Sequence, residues 1–307
     1  MQMPLRANDL VLLLVVLSSM AAGIIFPGFG SYFQALPFYS LMALFFLSYL
    51  AIEHKAVRTA LKNDKLTIAA FVTLKSLALP VAVYYAFRVF APGYALAALL
   101  LTGVSTGVVA PFISNLVRGN SALVLVVVVI TSALVPFSLP FLIDVLDAGY
   151  GEISLPAMVR LLVTVIFVPI LAVEALRLIA PKLLVGIGRV RYPVSLVLFA
   201  VINLGVFSKY AGLFRTEPAE ILMCTAVAFV LMAICCAAGI LFFWKSTVDN
   251  QLAGAVMIGN MNNVLVIVFA SAFFGAVEAL VAAIYIVPFF VLVLPLRFYA
   301  QLRGYRT

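Results

Sequence analysis

The sequence predicts an all-α membrane protein of ten transmembrane helices in two inverted five-helix repeats, on three observations. First, 66% of the 307 residues are apolar and only 10% are charged, against roughly 25% charged residues in a soluble domain. Second, apolar runs long enough to cross a bilayer recur along the chain and leave no stretch for a separate soluble domain. Third, clusters of Gly, Pro, hydroxyl and amide residues interrupt the fourth and the ninth run, at matching places in two halves of five. An odd number of spans per half inverts one half relative to the other. The expectation is a single membrane domain over residues 1–307, with repeat one at about 9–146 and repeat two at about 156–298.

Punctuation by charge, Pro and Gly places the spans in order. Met1 to Arg6 and the apolar stretch from Leu10 have the outline of a signal peptide, but the run continues through Ser18 and Ala22 into Gly23, Ile24, Ile25 and Phe26 without a polar break. It therefore reads as a first span, about Asp9 to Phe26. Spans two to five are expected at about Leu36 to Ile52, Leu66 to Phe90, Tyr94 to Val117 and Ser121 to Leu146. Spans six to ten follow at about Pro156 to Ile179, Tyr192 to Ser208, Pro218 to Trp244, Gln251 to Phe274 and Val277 to Phe298. Pro136, Pro140, Pro169 and Pro288 lie inside spans and are expected to bend them. Tyr84, Tyr85 and Arg88, and Trp244 with Lys245, read as interfacial anchors at span ends.

Sidedness follows from the cations. With the N-terminus inside, 14 of the 19 basic residues fall on the cytoplasmic side. They include the cationic loops Glu53 to Lys65 and Ala180 to Arg191, whereas Asp144, Asp147 and Glu152 make the fifth connection acidic. This is the positive-inside pattern, with both termini cytoplasmic in a cell (plasma or inner) membrane. The net charge of +8 is thus topogenic: the expected partner is the lipid bilayer and not nucleic acid, and the oligomeric state stays open. Cys224, Cys235 and Cys236 share one apolar run without metal-ligand spacing and read as packing residues. His54, the single histidine, sits between Glu53 and Lys55 in a basic loop. With no paired aspartates and no nucleophile–base pair inside a span, neither a metal site nor an enzyme is expected.

The two interruptions carry the functional signal. Span four reads Thr102, Gly103, Val104, Ser105, Thr106, Gly107, Val108, Val109, Ala110, Pro111. Pro111 removes a backbone donor and crowds the carbonyl four residues back, so a kink or unwound stretch is expected there. Span nine reads Gly259, Asn260, Met261, Asn262, Asn263, and three amides within four residues are costly in hydrocarbon unless they meet partners or water. Broken helices at corresponding places point to a secondary transporter, because half-helix ends expose amides and carbonyls that hold ions. The simpler alternative is that Gly and small hydroxyls let helices pack closely.

Leu116, Val117, Arg118, Gly119, Asn120, Ser121, Ala122, Leu123, followed by Thr131, Ser132 and Pro136, resemble the bile acid:sodium symporter family, whose broken fourth helix ends in a similar Arg-Gly-Asn turn. Met261, Asn262, Asn263 is similar to the ninth-helix crossover of that family, and Lys75 to Pro80 resembles its third-helix segment. The resemblance implies a panel of helices 1, 2, 6 and 7 beside a core of helices 3, 4, 5, 8, 9 and 10, with helices four and nine broken and crossing. It also implies two sodium sites. The positions that would supply their oxygen ligands hold Ile258, Ala110, Pro111, Val124 and Val128 instead, so no sodium is expected as a cofactor. Ser114 and Asn115 offer a shifted pair for a sodium-coupled alternative.

By the same resemblance Lys75 stands where a third-helix glutamine contributes to a sodium site. An ionisable residue about ten residues into a span marks function by default. The expectation is that its ammonium occupies the space of a lost sodium, donating to span-nine carbonyls or to the Asn260, Asn262 and Asn263 side chains. A lysine that releases its proton during the cycle gives proton-coupled transport, and one that keeps it gives sodium-independent exchange or uniport. The expected function is alternating-access transport of a small organic anion, bound near Thr106, Gly107, Asn262 and Asn263, with Ser105 a secondary candidate. Thr131, Ser132 and, on span seven, Asn203 and Ser208 are secondary candidates. An arsenite-efflux reading, drawn from related proteins, lacks a cysteine at the breaks. An ion channel and a non-transporting receptor remain open as other classes.

Overall fold

The computed structural model describes residues 7–50, 52, 65–146 and 154–304. The loop expected from Glu53 through His54 to Asp64, the acidic Asp147 and Glu152, and the terminal Arg6 and Arg306 lie outside the described residues. Among the described residues the chain is helical throughout, and the one β-type pairing is an isolated bridge.

Helix α1 (Ala7–Ile25) turns by 109° into a short elbow over Pro27–Phe33 and is followed by α2 (Pro37–Tyr49). Helix α3 (Lys65–Phe90) carries a π-helical turn at Leu74–Ala78, just ahead of Pro80. A proline supplies no amide to the turn before it, and the backbone widens there instead of kinking. Helices α4 (Ala95–Gly103) and α5 (Ala110–Leu116) are the two parts of a broken element, followed by α6 (Ser121–Leu146) and α7 (Leu155–Ile179). Next come α8 (Pro181–Thr216) and α9 (Pro218–Phe242). Helices α10 (Val248–Gly259) and α11 (Asn263–Phe273) form the second broken element, and α12 (Ala276–Leu302) closes the described chain. Six of these helices (α3, α6, α7, α8, α9 and α12) are long and apolar enough to cross a membrane, and α1 with its elbow makes a seventh if that bent pair is one span. Shorter apolar helices lie at Pro37–Tyr49, Pro92–Gly103 and Asn263–Phe273.

The cationic stretch Ala180 to Arg191, expected as a loop, is the first part of α8, with Pro181 in the first turn and Leu184 buried. Pro is compatible with a helix start because the amide it lacks has no intrahelical acceptor there. At 36 residues α8 is about 54 Å long, well beyond a hydrocarbon core of about 30 Å, so its charged first turns need not lie in lipid. Tyr84, read as an interfacial anchor, is buried and donates to the Leu146 carbonyl, with Arg88 donating to its hydroxyl. It ties α3 to the end of α6.

In packing, α1 lies along α8 and α2 lies against α7 and α8, while α3 packs on α4, α9 on α10, α11 on α12, and α12 on both α4 and α9. Apolar burial drives little association once helices are already in lipid, so close contact of small residues carries more of the specificity. Gly239 of α9 and Gly254 of α10 are the tightest such pair: a Cβ built on either would fall well under 3.0 Å from the facing backbone carbonyl. The two helices therefore touch backbone to backbone, and α10 is held where it feeds the second break.

Candidate functional site

The two breaks meet. Helix α4 ends at Gly103, Val104 is extended (φ −67°, ψ 162°) and α5 starts at Ala110. The kink or unwound stretch expected at Pro111 takes the second form: the chain unwinds just ahead of it, and Pro111 sits in the first turn of α5, where its missing amide costs nothing. The unwound residues are 104–109. Across from them α10 ends at Gly259, and α11 starts at Asn263 with Asn262 as its cap.

An antiparallel bridge pairs Thr106 with Met261. Gly107 N–H donates to the Asn260 carbonyl at 2.7 Å and Asn262 N–H to the Ser105 carbonyl at 3.0 Å. The Thr106 hydroxyl donates to the Met257 carbonyl at 2.6 Å, and the Thr106 N–H donates to the Thr131 hydroxyl at 3.1 Å. Each break thus satisfies backbone groups that the other exposes, as non-helical backbone in an apolar interior requires. Gly107 has no room for a side chain, since its Cβ would lie 3.0 Å from the Asn260 and Met261 carbonyl oxygens. Thr106→Val removes the donor to a fully buried carbonyl of α10. An unsatisfied buried acceptor costs about 1–3 kcal/mol, so the variant is expected to unfold at a lower temperature than wild type in a thermal melt, with Thr106→Ser close to wild type.

Lys75 is fully buried at the π turn of α3 and donates to the carbonyls of Thr102 (3.0 Å) and Val104 (2.8 Å). This corrects the expected partners: the ammonium caps the C-terminal end of α4, in the first break, and not span-nine carbonyls or the Asn side chains. The physical reason is adjacency, since α3 packs directly on α4. The carboxyl-terminal end of a helix carries partial negative charge, so a cation there is favoured.

The other half-helix ends are met in related ways that the sequence alone did not disclose. At the end of α10 the Tyr285 hydroxyl donates to the Gly259 carbonyl at 2.7 Å. At the end of α5 the Arg297 guanidinium donates twice to the Leu116 carbonyl, at 3.2 and 2.8 Å. Near the end of α11 Lys209 donates to the Ser271 carbonyl at 3.3 Å. A lone tyrosine inside the apolar run Ala282 to Phe290 is the only sequence signal for Tyr285.

The remaining predicted residues divide clearly. Asn263 donates to the Ala282 carbonyl and the Asn262 side-chain oxygen accepts from Leu265 N–H. Three polar groups at the crossover have no partner: the Ser105 hydroxyl, both polar atoms of the Asn260 side chain, and the Asn262 amide nitrogen. Ser114 is buried beside Gly119 and Ala253, whereas Asn115 is exposed, so the two do not form a ligand pair. Ser132 is half-buried on α6. Asn203 donates to the Ser19 hydroxyl and the Val16 carbonyl on α1, and Ser208 accepts from Gln34. Both therefore serve helix packing.

A cavity of about 360 Å³ opens beside the crossover. Gly107, Val108, Val109, Met261, Asn262, Asn263 and Val264 form its crossover wall, and residues of α1, α2, α5, α8 and α12 form the rest. Arg191 is the one charged residue in its lining, and no carboxylate faces it among the described residues. No group of acidic, His or Cys side chains fit to hold a metal ion occurs among the described residues. Neither a family model nor a curated protein sequence matches the chain.

Proposed function

We propose that the protein is a secondary transporter of a small organic anion, working by alternating access without sodium. The observation that carries this reading is the crossover: two broken helices paired at Thr106 and Met261, beside a cavity whose single lining charge is the cation of Arg191. An anion entering from the Arg191 end meets a positive field first and then the Asn262 amide and the first turn of α11. A cation finds no carboxylate there. The resemblance to bile acid:sodium symporters supports the same reading, with ten spans in two inverted repeats and a panel of helices rocking against a core.

By the positive-inside rule Arg191 lies on the cytoplasmic side, so the cavity faces inward. At the opposite end of α8, Lys209 donates to the Ser271 carbonyl and Tyr210 to the Ser271 hydroxyl at 3.4 Å, and this closes the outer side. Lys75 supplies a permanent or proton-linked charge at the α4 end, on the position where the family that the sequence resembles carries a third-helix glutamine. Release of its proton would couple transport to a pH gradient, and retention would give exchange or uniport.

A sodium-coupled alternative needs oxygen ligands that Ile258, Ala110, Val124 and Val128 do not offer. The test is uptake of radiolabelled organic anions into proteoliposomes by the wild type and by Ser195→Trp, which fills the cavity from α8. Saturable wild-type uptake, lost in a variant that still folds, is the expected result. Unitary conductance in a planar bilayer, far above carrier rates, would assign the protein to the channels instead.

A further inference from the structure

The cavity wall specifies more than charge. Six aromatic rings line it: Phe45 of α2, Phe112 of α5, Tyr192 and Phe199 of α8, and Phe289 and Phe290 of α12. Tyr192 and Phe199 are seven residues apart on one helix and so share a face. Phe289 and Phe290 meet edge to face, with ring centroids 5.1 Å apart. Phe45 and Phe289 are buried, so these rings are fixed wall.

At about 360 Å³ the space lies toward the small end of ligand cavities, which span about 300–1,000 Å³. An acid built on one or two rings suits such a volume better than a four-ring sterol acid with a side chain. The polar complement is equally narrow. Arg191 is the one charge, and the Asn262 amide nitrogen is an unpartnered donor on a residue that is 6% exposed. A second anionic group would be left against apolar wall, which is costly.

Resting on the transporter reading, we infer that the cavity selects a compact aromatic monocarboxylate. Its ring packs among the six aromatic side chains, its carboxylate takes up the Asn262 amide once that group, now buried in the wall, rotates into the cavity, and Arg191 at the mouth draws it in. Rings stack on rings in offset or edge-on geometry, which adds to simple burial and discriminates against aliphatic chains of the same length. Arg191 contributes mainly to encounter, so its effect weakens with ionic strength.

The experiment is isothermal titration of the full chain in lipid nanodiscs with 3-phenylpropionate, 2-naphthoate, hexanoate, phthalate, cholate and 3-phenylpropionamide. The two aromatic monocarboxylates are expected to bind. The aliphatic acid, the dianion, the sterol acid and the uncharged amide are expected to bind at least tenfold more weakly, or not at all. Arg191→Gln, an exposed position that leaves the fold intact, is expected to weaken binding about tenfold at low salt and less at high salt, with Arg191→Lys restoring it. Phe199→Leu is expected to weaken 2-naphthoate more than it weakens hexanoate. Equal or tighter binding of hexanoate, phthalate, cholate or the amide would overturn the inference. So would an Arg191→Gln variant with unchanged affinity at every salt concentration. If proteoliposomes carry other organic anions but not these, the ring selectivity fails and the transporter reading stands. If they carry no organic anion, both fail.

Discussion

Lys75→Met is expected to reduce anion uptake on the order of 100-fold, about 2.8 kcal/mol at 1.4 kcal/mol per tenfold, while lowering the unfolding temperature only modestly. The two readouts separate for a physical reason. The variant deletes two charge-assisted hydrogen bonds, to the carbonyls of Thr102 and Val104, each worth about 1.5–3 kcal/mol. It also removes a fully buried ammonium, whose desolvation opposes folding, and that relief offsets part of the loss. What nothing offsets is the exposed end of α4. With its last carbonyls unpaired, the segment 104–109 loses the fixed geometry that lets Thr106 pair with Met261, and the cavity wall at Gly107 moves with it. Lys75→Gln retains a donor within reach of the same carbonyls and is expected to be more stable than Lys75→Met, though still poor in uptake. Lys75→Arg keeps the charge, but its planar fork does not fit a space shaped for an ammonium. Uptake and thermal melts on the same preparations check the set, and full uptake in Lys75→Met would remove the lysine from the mechanism.

Gly239→Ala and Gly254→Ala form the second large effect, on stability. Either methyl group would land well under 3.0 Å from the facing helix backbone, where no flexible side chain can yield, so α9 and α10 have to part. Overpacking of this kind costs about 1–3 kcal/mol, occasionally more, and valine at either position is expected to be worse. Two glycines of α8, Gly186 and Gly188, have no atom within 4 Å of a built Cβ and provide controls. Alanine there removes conformational freedom from the unfolded chain and is expected to be neutral or stabilising by about 0.4–1 kcal/mol. Thermal melts in one detergent compare the four directly. Equal melting temperatures for Gly239→Ala and Gly186→Ala would deny the backbone contact between α9 and α10.

Much of this architecture is legible in the chain because lipid leaves a strong imprint on sequence. The run Ser121 to Leu146 is read as a span and found as α6 with the same ends. The Gly, Ser and Asn clusters mark both breaks. Legibility fails where partner choice depends on which helices touch. Lys75 is identifiable as an outlier, but because the breaks pair with each other, sequence spacing does not decide which one it caps; the packing of α3 on α4 does. Pro111 signals the discontinuity found at 104–109, though a proline in an apolar run does not say on which side the helix resumes. The charges of Lys182, Arg189 and Arg191 suggest a loop, yet an exposed helix carries them equally well, and Arg191 turns out to line the cavity. Asn203 and Asn262 are alike as isolated amides in apolar sequence. One is used up on α1 and the other is left with an unpaired nitrogen, a difference fixed only in three dimensions.

We propose that Lys75, a covalently held cation, does the work of a bound sodium. The direct measurement is initial uptake of a radiolabelled organic anion into proteoliposomes with external sodium, with potassium, and with an imposed pH gradient, for the wild type and Lys75→Gln. Wild-type uptake is predicted to be the same in sodium and in potassium, and to change, if with any of the three, with the pH gradient; Lys75→Gln is predicted to lose it. Wild-type uptake that needs a sodium gradient would contradict the account.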